Sequence, residues 1–424
     1  MARIAREDPV QSNLRWNFFV NLWDISFITL GLSLVSRETV MPALVSQLTD
    51  SKIAVGLIPA IFTLGFYLPQ LLIANYSERL RYKKPFVAFV GGLGERVPYL
   101  LIALTLYWLA ESRPTATLLL FYLFLVTAAA SAGFATPAWF DMIAKVIPVQ
   151  RRGIWSGLGH GLGALLGIIG AYFVGRILAS FPFPRNFSLL FGLAFVVVMI
   201  SWCGLILTRE PPSTTVKERV PLSHYLRQLP AILRRDGNYR RFLLSRSIVQ
   251  LGTMAGGFFM VYGIERFGVD GRGVGLLTGV LVAGQAIMNL LWGVVGDRRG
   301  HKTVLAGASL AMSVAVLAVW LAPSAAWLVL PFFLLGAYIA ADAVSGLNII
   351  LEFCPPEDRP TYIGLTNTLL APLVTAAPIV GGWLATVVGY QGLFGVALAV
   401  SLVGSSLLAL WVREPRRRLA VTQA

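Results

Sequence analysis

The chain has 424 residues, of which 56% are hydrophobic and only 13% are charged. Soluble domains carry roughly 25% charged residues, so this composition excludes an ordinary soluble enzyme or binding module. The net charge is +15, but the basic residues are scattered along the chain, which argues against a nucleic-acid partner. The two cysteines lack metal-ligand spacing, and no nucleotide-binding loop or zinc motif occurs, so we expect no cofactor and no metal.

Twelve apolar runs recur along the chain, each near the roughly 20 residues that a helix needs to cross a bilayer. They are apolar on all sides, so their length rather than their periodicity predicts an all-α integral membrane fold. The first run contains Asp24 and is longer than a signal-peptide core, so we expect it to be retained. The predicted spans are 16–36, 54–75, 86–109, 116–144, 153–178, 187–207, 242–263, 274–295, 303–321, 326–352, 361–386 and 391–412.

The distribution of Lys and Arg predicts the orientation of these spans. Most of the 35 basic residues fall in the connections that lie on the same side as both termini. Connections rich in Lys and Arg stay on the cytoplasmic side of a membrane. We therefore expect both termini in the cytoplasm and the protein in the cytoplasmic (plasma) membrane.

The apolar pattern breaks at residues 209–241, which separates a first half, 1–208, from a second half, 242–424. Within this break, Leu226, Leu229 and Ile232 alternate with arginines in a pattern typical of an amphipathic helix lying on the membrane surface. A plain linker with a surface helix is favoured over a regulatory element.

The two halves repeat short stretches of sequence. The loop after the eighth run, from Gly293 to Lys302, has an acid, Arg298 and further bases, and the loop after the second run has Glu78, Arg79 and Lys83 at the same offsets. The stretch 148–158 also matches 355–365 in its proline, arginine, aromatic, glycine and leucine positions.

This duplicated acid–arginine–base loop resembles the signature loop of the major facilitator superfamily of secondary transporters. The resemblance implies twelve transmembrane helices in two pseudo-symmetric six-helix halves, no enzymatic activity, and a substrate site between the halves near the membrane midplane. It also implies that the loop acid and the first arginine hold the cytoplasmic side shut. The gate residues that it indicates are Glu78, Arg79, Gly293, Asp297, Arg298 and Gly300, with Asp141 as a candidate partner for Arg79. The fifth run lacks the Gly-Pro motif of drug antiporters, which does not favour that subclass.

Ionisable and polar side chains inside the spans are the candidate substrate or proton sites, because a charge in hydrocarbon costs at least about 2.5 kcal/mol. Asn17, Asn21 and Asp24 share one face of the first helix, and Gln250 aligns with Asp24 in the second half. We expect this face to line the central cavity, with Asp24 as the first choice for a substrate contact or proton carrier. The alternative is a structural hydrogen bond to a neighbouring helix.

Six further residues are candidates of the same kind. Glu95 and Arg96 are adjacent, so they point about 100° apart and at least one should meet another helix. Arg246 and Asp342 lie in the seventh and tenth runs, and the alternative for Arg246 is that its side chain extends to the cytoplasmic membrane surface. His160 aligns with Asn367 in the second half, which suggests that both line the cavity. A buried structural salt bridge is the alternative for the charged residues.

The sequence thus predicts a monomeric transporter that moves a small-molecule substrate through the lipid bilayer by alternating access, coupled to protons through Asp24 or Glu95. Two alternatives remain: a lipid or amphiphile flippase of the same fold, and a non-transporting membrane sensor or assembly factor.

The predicted orientation can be tested with cysteines introduced at Val220 and in the C-terminal tail. Both should react with a membrane-impermeant maleimide in inverted vesicles and not in intact cells, because both lie on the basic side. Labelling of either position in intact cells would overturn the orientation.

Overall fold

The computed structural model of the chain describes residues 12–77, 79–213, 233–234, 236–354 and 359–415, and this part contains helices but no strands. Twelve of its helices are long and apolar enough to cross a membrane. We number these spans α1 to α12. They are α1 Leu14–Leu34, α2 Lys52–Ser77, α3 Lys84–Leu109, α4 Pro114–Val146, α5 Val149–Ser180, α6 Arg185–Leu207, α7 Gly237–Phe267, α8 Gly271–Arg299, α9 His301–Trp320, α10 Ala325–Ser345, α11 Arg359–Val387 and α12 Gly389–Trp411.

All twelve predicted spans correspond to observed helices, which confirms the predicted fold class. Most helices extend past the apolar runs, because a helix continues into the polar layers at the membrane surface. The tenth span, predicted as 326–352, is wrong as a single helix. In the structure α10 ends at Ser345, and a separate short helix, Asn348–Phe353, follows. The break falls at Gly346, and glycine is a poor helix former.

The predicted amphipathic helix lies mostly outside the described residues, including Leu226, Leu229 and Ile232. It therefore stays a prediction, as does the division of the chain at residues 209–241. Glu78 of the first gate loop also lies outside the described residues.

An even number of spans places the start of α1 and the end of α12 on one face of the bundle, called here the terminal face. The other side is called the opposite face. A short helix, Val40–Leu48, covers part of the opposite face between α1 and α2.

The pseudo-symmetry of the two halves extends to their helix ends. The Asn17 side chain accepts from the backbone N–H of Arg209 at 2.8 Å and donates to its carbonyl at 3.0 Å. Asn238 does the same with Arg413, at 2.9 Å for both bonds. One amide side chain satisfies both groups because it carries an acceptor and a donor. Each half therefore joins its first helix to the end of its last helix by the same pair of bonds.

The third span contains a π-helical segment, Val87–Gly94, directly before Glu95. Gly92 in this segment lies so close to the Trp202 indole of α6 that no Cβ would fit, and Trp202 Nε1 donates to the Ala88 carbonyl at 2.9 Å. Packing against α6 therefore holds the wide turn that sets the direction of the following side chains. Such turns often occur at functional sites.

This packing predicts opposite effects for two Gly→Ala substitutions. Gly92→Ala should overpack the α3–α6 contact and cost about 1–3 kcal/mol of stability. Gly157→Ala should be neutral or stabilising by up to about 1 kcal/mol, because a Cβ there meets nothing within 4 Å. Thermal unfolding of the purified variants in detergent measures both, and equal midpoints would contradict the assigned packing.

Candidate substrate cavity and gates

A cavity of about 870 Å³ lies between the two halves. Its walls come from α1 to α5 in the first half and from α7, α8, α10 and α11 in the second. Sites for drug-sized ligands occupy roughly 300–1,000 Å³, so one such molecule fits.

The wall formed by helices α2 to α4 of the first half is aromatic and carries one acid. It includes Phe62, Phe66 and Tyr67 of α2, together with Glu95 and Tyr99 of α3. Three alanines of α4 face the same space. This wall can pack a flat or bulky apolar group beside a single carboxylate.

The wall formed by the second half is richer in amides. Gln250 Oε1 accepts a hydrogen bond from the Tyr338 hydroxyl at 2.9 Å. Gln285, Asn289 and Asn367 also line this wall. It can therefore recognise a polar group of a ligand through neutral hydrogen bonds.

An ion pair on the second wall joins α7 to α10. Arg246 Nη2 contacts the Asp342 carboxylate, and the Arg246 side chain is only 5% exposed whereas that of Asp342 is 41% exposed. The buried guanidinium is thus compensated, as a buried charge must be. Asp342, the more exposed partner, also lines the cavity.

Arg37 closes the cavity at the opposite face, in the loop after α1. Its guanidinium lies 5.7 Å from the centre of the Phe62 ring. The Glu38 carboxylate beside it raises the pKa of the Arg37 guanidinium against the effect of burial, and Tyr67 and Asp342 act in the same direction. Arg37 and Glu38 were not among the predicted site residues, although an adjacent acid and base at a helix end could have drawn attention to them.

Of the nine predicted substrate or proton residues, the structure brings six together around the cavity. These are Glu95, His160, Arg246, Gln250, Asp342 and Asn367. The other three, Asn21, Asp24 and Arg96, are buried between helices of the first half.

The expectation that the Asn17–Asn21–Asp24 face lines the cavity is therefore wrong for this structure. That face packs against α6, where Asn21 Oδ1 accepts from the Thr208 hydroxyl at 3.4 Å and Asp24 Oδ1 accepts from Ser201 at 2.6 Å. Helical spacing determines which side chains share a face, but it does not determine which neighbour that face meets.

Arg96 meets two other helices, which confirms that one member of the adjacent Glu95–Arg96 pair reaches beyond α3. Its nitrogens donate to the carbonyl of Val198 at 2.9 Å, to the carbonyl of Gly91 at 2.5 Å and to the Ser201 hydroxyl at 3.1 Å. It also lies 3.6 Å from one carboxylate oxygen of Asp24 and 3.6 Å from one of Glu95.

Polar contacts join the two halves at the opposite face. Lys52 of α2 pairs with Glu265 of α7, which also accepts from the Tyr390 hydroxyl at 3.2 Å. The hydroxyls of Thr39 and Thr278 lie 2.7 Å apart.

Close backbone contacts add to this closure. Gly175 of α5 and Gly275 of α8 touch, and Gly56 of α2 lies against the carbonyl of Pro378 in α11. Neither Gly275 nor Gly56 has space for a Cβ. Small residues allow such approach between membrane helices. The cavity instead extends toward the terminal face, where its lining includes Phe242 and Ile350.

The C-terminal gate loop lies at the terminal face. Asp297 and Arg298 are exposed in the last turn of α8. Gly300 follows with φ 91°, a conformation that favours glycine, and its Cα lies against the Glu414 carboxylate. The turn geometry thus requires the glycine of the motif.

The N-terminal gate loop has a different partner from the one expected. Asp141 lies 3.4 Å from Lys83 Nζ and 3.8 Å from Lys145 Nζ, so the expected pairing with Arg79, which is exposed, is wrong for this structure. Lys83 directly precedes α3 and is buried, and it is this base rather than Arg79 that contacts Asp141 of α4.

Glu210 organises this corner of the terminal face and was missed from the sequence. Its carboxylate, 2% exposed, accepts from the backbone N–H groups of Lys83 at 2.9 Å and Lys84 at 2.8 Å, and from Lys145 Nζ at 2.8 Å. An acid at a helix N-terminus is favourable because the helix dipole is positive there. The repeated Arg-Glu-Pro after α6 and α12, at 209–211 and 413–415, is the signal that could have found it.

Comparison with known proteins gives the family. Residues 26–265 and 242–423 match the profile of the Major Facilitator Superfamily. The chain belongs to this superfamily. It is therefore an integral membrane transporter of twelve helices and not an enzyme.

Relatives and solved structures agree with this assignment. The multi-drug resistance efflux pump PmrA of Streptococcus pneumoniae is 28% identical over 153 residues, which are 35% of this chain and 37% of the pump. A mutant of the nucleoside transporter NupG superposes with a TM-score of 0.73 at 12% identity, covering 93% of this chain and all of that one. A bacterial homologue of the human lysosomal transporter Spinster, inward-facing and unoccupied, has a TM-score of 0.68 at 14% identity, covering 98% of both chains. The chain spans little more than a third of the length of PmrA. The solved structures are only 12% and 14% identical to it, so they show its fold and not its substrate.

The ion pair at the opposite face predicts a shift between transport states. Glu265→Gln should cost the fold only about 0.2–1 kcal/mol, because exposed pairs are weak, yet it should open this face up to about fivefold more often. The rate at which a cysteine at Ser33 reacts from that face, in a background without Cys203 and Cys354, measures the opening. Glu111→Gln, an exposed acid on the same face, is the matched control and should change nothing. Equal rates in both variants would exclude the pair as a gate.

Proposed function

We propose that this transporter moves small amphipathic solutes across the cytoplasmic membrane by alternating access, in the export direction and coupled to protons. The observation that carries the proposal is the cavity of about 870 Å³ between the halves, closed at one face and extending toward the other. If the terminal face is cytoplasmic, as the basic residues predict, the structure is the inward-facing state, ready to take a solute from the cell.

The chemistry of the two walls supports an amphipathic solute. The first wall offers Phe62, Phe66 and Tyr67 to an apolar group, and the second offers the amides of Gln250, Gln285 and Asn289 to a polar group. Hydrophobic lining with a few polar groups is typical of sites that accept organic molecules of drug size. The relation to a multidrug efflux pump supports export, although α5 lacks the Gly-Pro motif of antiporters.

Proton coupling requires a titratable group that protons can reach through the cavity, first from one side of the membrane and then from the other. Glu95, Asp342 and His160 line the cavity, whereas Asp24 is 3% exposed behind α3 and α6. Glu95 therefore replaces Asp24 as our leading candidate for the proton carrier. Asp342 is the second candidate, but it already pairs with Arg246.

The test is transport by purified protein in proteoliposomes with an imposed pH gradient. An aromatic dye such as ethidium should move against its gradient while the pH gradient lasts, and transport should stop when a protonophore removes it. Movement of a fluorescent lipid between leaflets, with no dye transport, would favour the flippase alternative. Movement of neither would contradict the proposal.

The gate loop gives a sharper prediction. Asp297→Asn should leave folding and insertion unchanged, because an exposed charge contributes little to stability. Transport should fall about tenfold or more, since the proposed cytoplasmic latch would no longer hold the outward-facing state. Arg299→Gln, an exposed neighbour outside the gate pair, is the control. Unchanged flux in Asp297→Asn at equal expression would remove the latch from the mechanism.

A further inference from the structure

The first half buries a charge cluster that does not balance. Asp24 of α1 and Glu95 of α3 both lie 3.6 Å from Arg96, so two carboxylates share one guanidinium. Side-chain exposure is 5% for Asp24, 5% for Arg96 and 20% for Glu95. With all three groups ionised the cluster would carry one excess negative charge in a medium where uncompensated charge is very costly.

Within the described part of the chain, the other charges that line the cavity are balanced in pairs. Arg37 pairs with Glu38 at 2.5 Å at the closed end, and Arg246 pairs with Asp342 on the second wall. The excess of one negative charge at the cavity therefore belongs to the Asp24–Glu95–Arg96 cluster.

Arg96 cannot follow a ligand, because its contacts hold it between helices. It donates to two carbonyls, Gly91 and Val198, and to Ser201, which leaves it buried at 4% exposure. The Ser201 hydroxyl accepts a hydrogen bond from Arg96 and donates one to Asp24 Oδ1 at 2.6 Å. Asp24 thus receives a guanidinium and a hydroxyl donor, the environment of an ionised carboxylate.

Glu95 has the weaker environment. Among the described residues, its side chain has the 3.6 Å contact with Arg96 but no hydrogen bond, and it lines the cavity. The charged groups that act on it are Arg96 and Asp24, and Tyr99 lies one turn further along α3. The neighbouring helix α4 presents Ser131 and Ala135 to this part of α3, and α6 presents Ser201 and Trp202, none of them charged.

We infer that Glu95, Arg96 and Asp24 form a binding site for one unit of positive charge, with Glu95 as the group that takes it from the cavity. A proton neutralises Glu95 when the cavity is empty, and the cationic group of a solute replaces that proton when the cavity is filled. Arg96 is a positioning residue, and Asp24 is its permanent counter-charge. The inference rests on the proposed function for its role in transport, but the site itself can be tested without transport.

The fold gives the adjacent residues Glu95 and Arg96 different surroundings and therefore different roles. The π-helical segment Val87–Gly94 ends immediately before Glu95, and its Gly91 carbonyl holds Arg96. Arg96 then points toward α1 and α6 while Glu95 lines the cavity. One turn of α3 therefore carries both the buried Arg96, which pairs with Asp24, and Glu95, which lines the cavity.

The first measurement needs no ligand. Infrared spectra of the detergent-purified protein at neutral pH should show a protonated-carboxyl band that disappears in Glu95→Gln. The matched controls are Glu38→Gln and Asp342→Asn, acids that line the same cavity in balanced pairs, and both should retain the band. A band that persists in Glu95→Gln, or that is absent from the unmodified protein, would overturn the inference.

The second measurement uses tetraphenylphosphonium, a permanent monovalent cation, and triphenylphosphine oxide, its neutral analogue. Binding of the cation should release one proton per protein, and Glu95→Gln should release none and bind the cation at least about tenfold more weakly. The neutral analogue should release no proton from either protein. Cation binding without proton release would contradict the exchange of one charge for another, and if tetraphenylphosphonium does not bind, the infrared band alone decides.

Two further variants separate positioning from structure. Glu95→Asp keeps the acid and should restore part of the band and of the proton release. Asp24→Asn should lower the thermal unfolding midpoint, because it leaves Arg96 without its buried counter-charge. A failure of dye transport while the band and the proton release are intact would count against the proposed function and not against this site.

Discussion

A charge inside a membrane protein must be compensated by the protein itself, because hydrocarbon offers neither water nor counter-ions. The interior of this transporter is arranged around that constraint. Arg96 is anchored to carbonyls of α3 and α6 and to Asp24, and Arg246 is anchored to Asp342 across α7 and α10. Each network connects helices of one half. The contacts that compensate these buried charges therefore also hold the helices of each half together.

The contacts between the halves are of another kind. At the opposite face they are an exposed ion pair, a pair of hydroxyls and glycine backbones in van der Waals contact. Such contacts are individually weak and leave no buried charge behind when they separate. Strong buried networks within halves and weak reversible contacts between them are what a rocking motion about a central cavity requires.

The terminal face shows how the same design is repeated. Glu210 follows α6 and caps the start of α3, while Glu414 follows α12 and lies against Gly300 at the start of α9. In both halves the acid that follows the last helix meets the loop that carries the gate motif. The gate loops are thus attached to the ends of their own halves, so a movement of either half carries its loop with it.

Much of this architecture follows from the sequence alone. Length and hydropathy determine the number of spans, since a helix needs about 20 apolar residues to cross the bilayer. The duplicated loops Glu78–Lys83 and Asp297–Lys302 indicate the two halves. Glu95, Arg246 and Asp342 could be named as candidates because an ionisable residue in an apolar run stands out. The sequence could not show that Asp24 packs against α6 while Glu95 lines the cavity, nor that Asp141 meets Lys83. Helices that are apolar on every side do not encode which face meets which neighbour, so the rotation of each helix, and with it the division of polar residues between cavity and core, is decided only by tertiary packing.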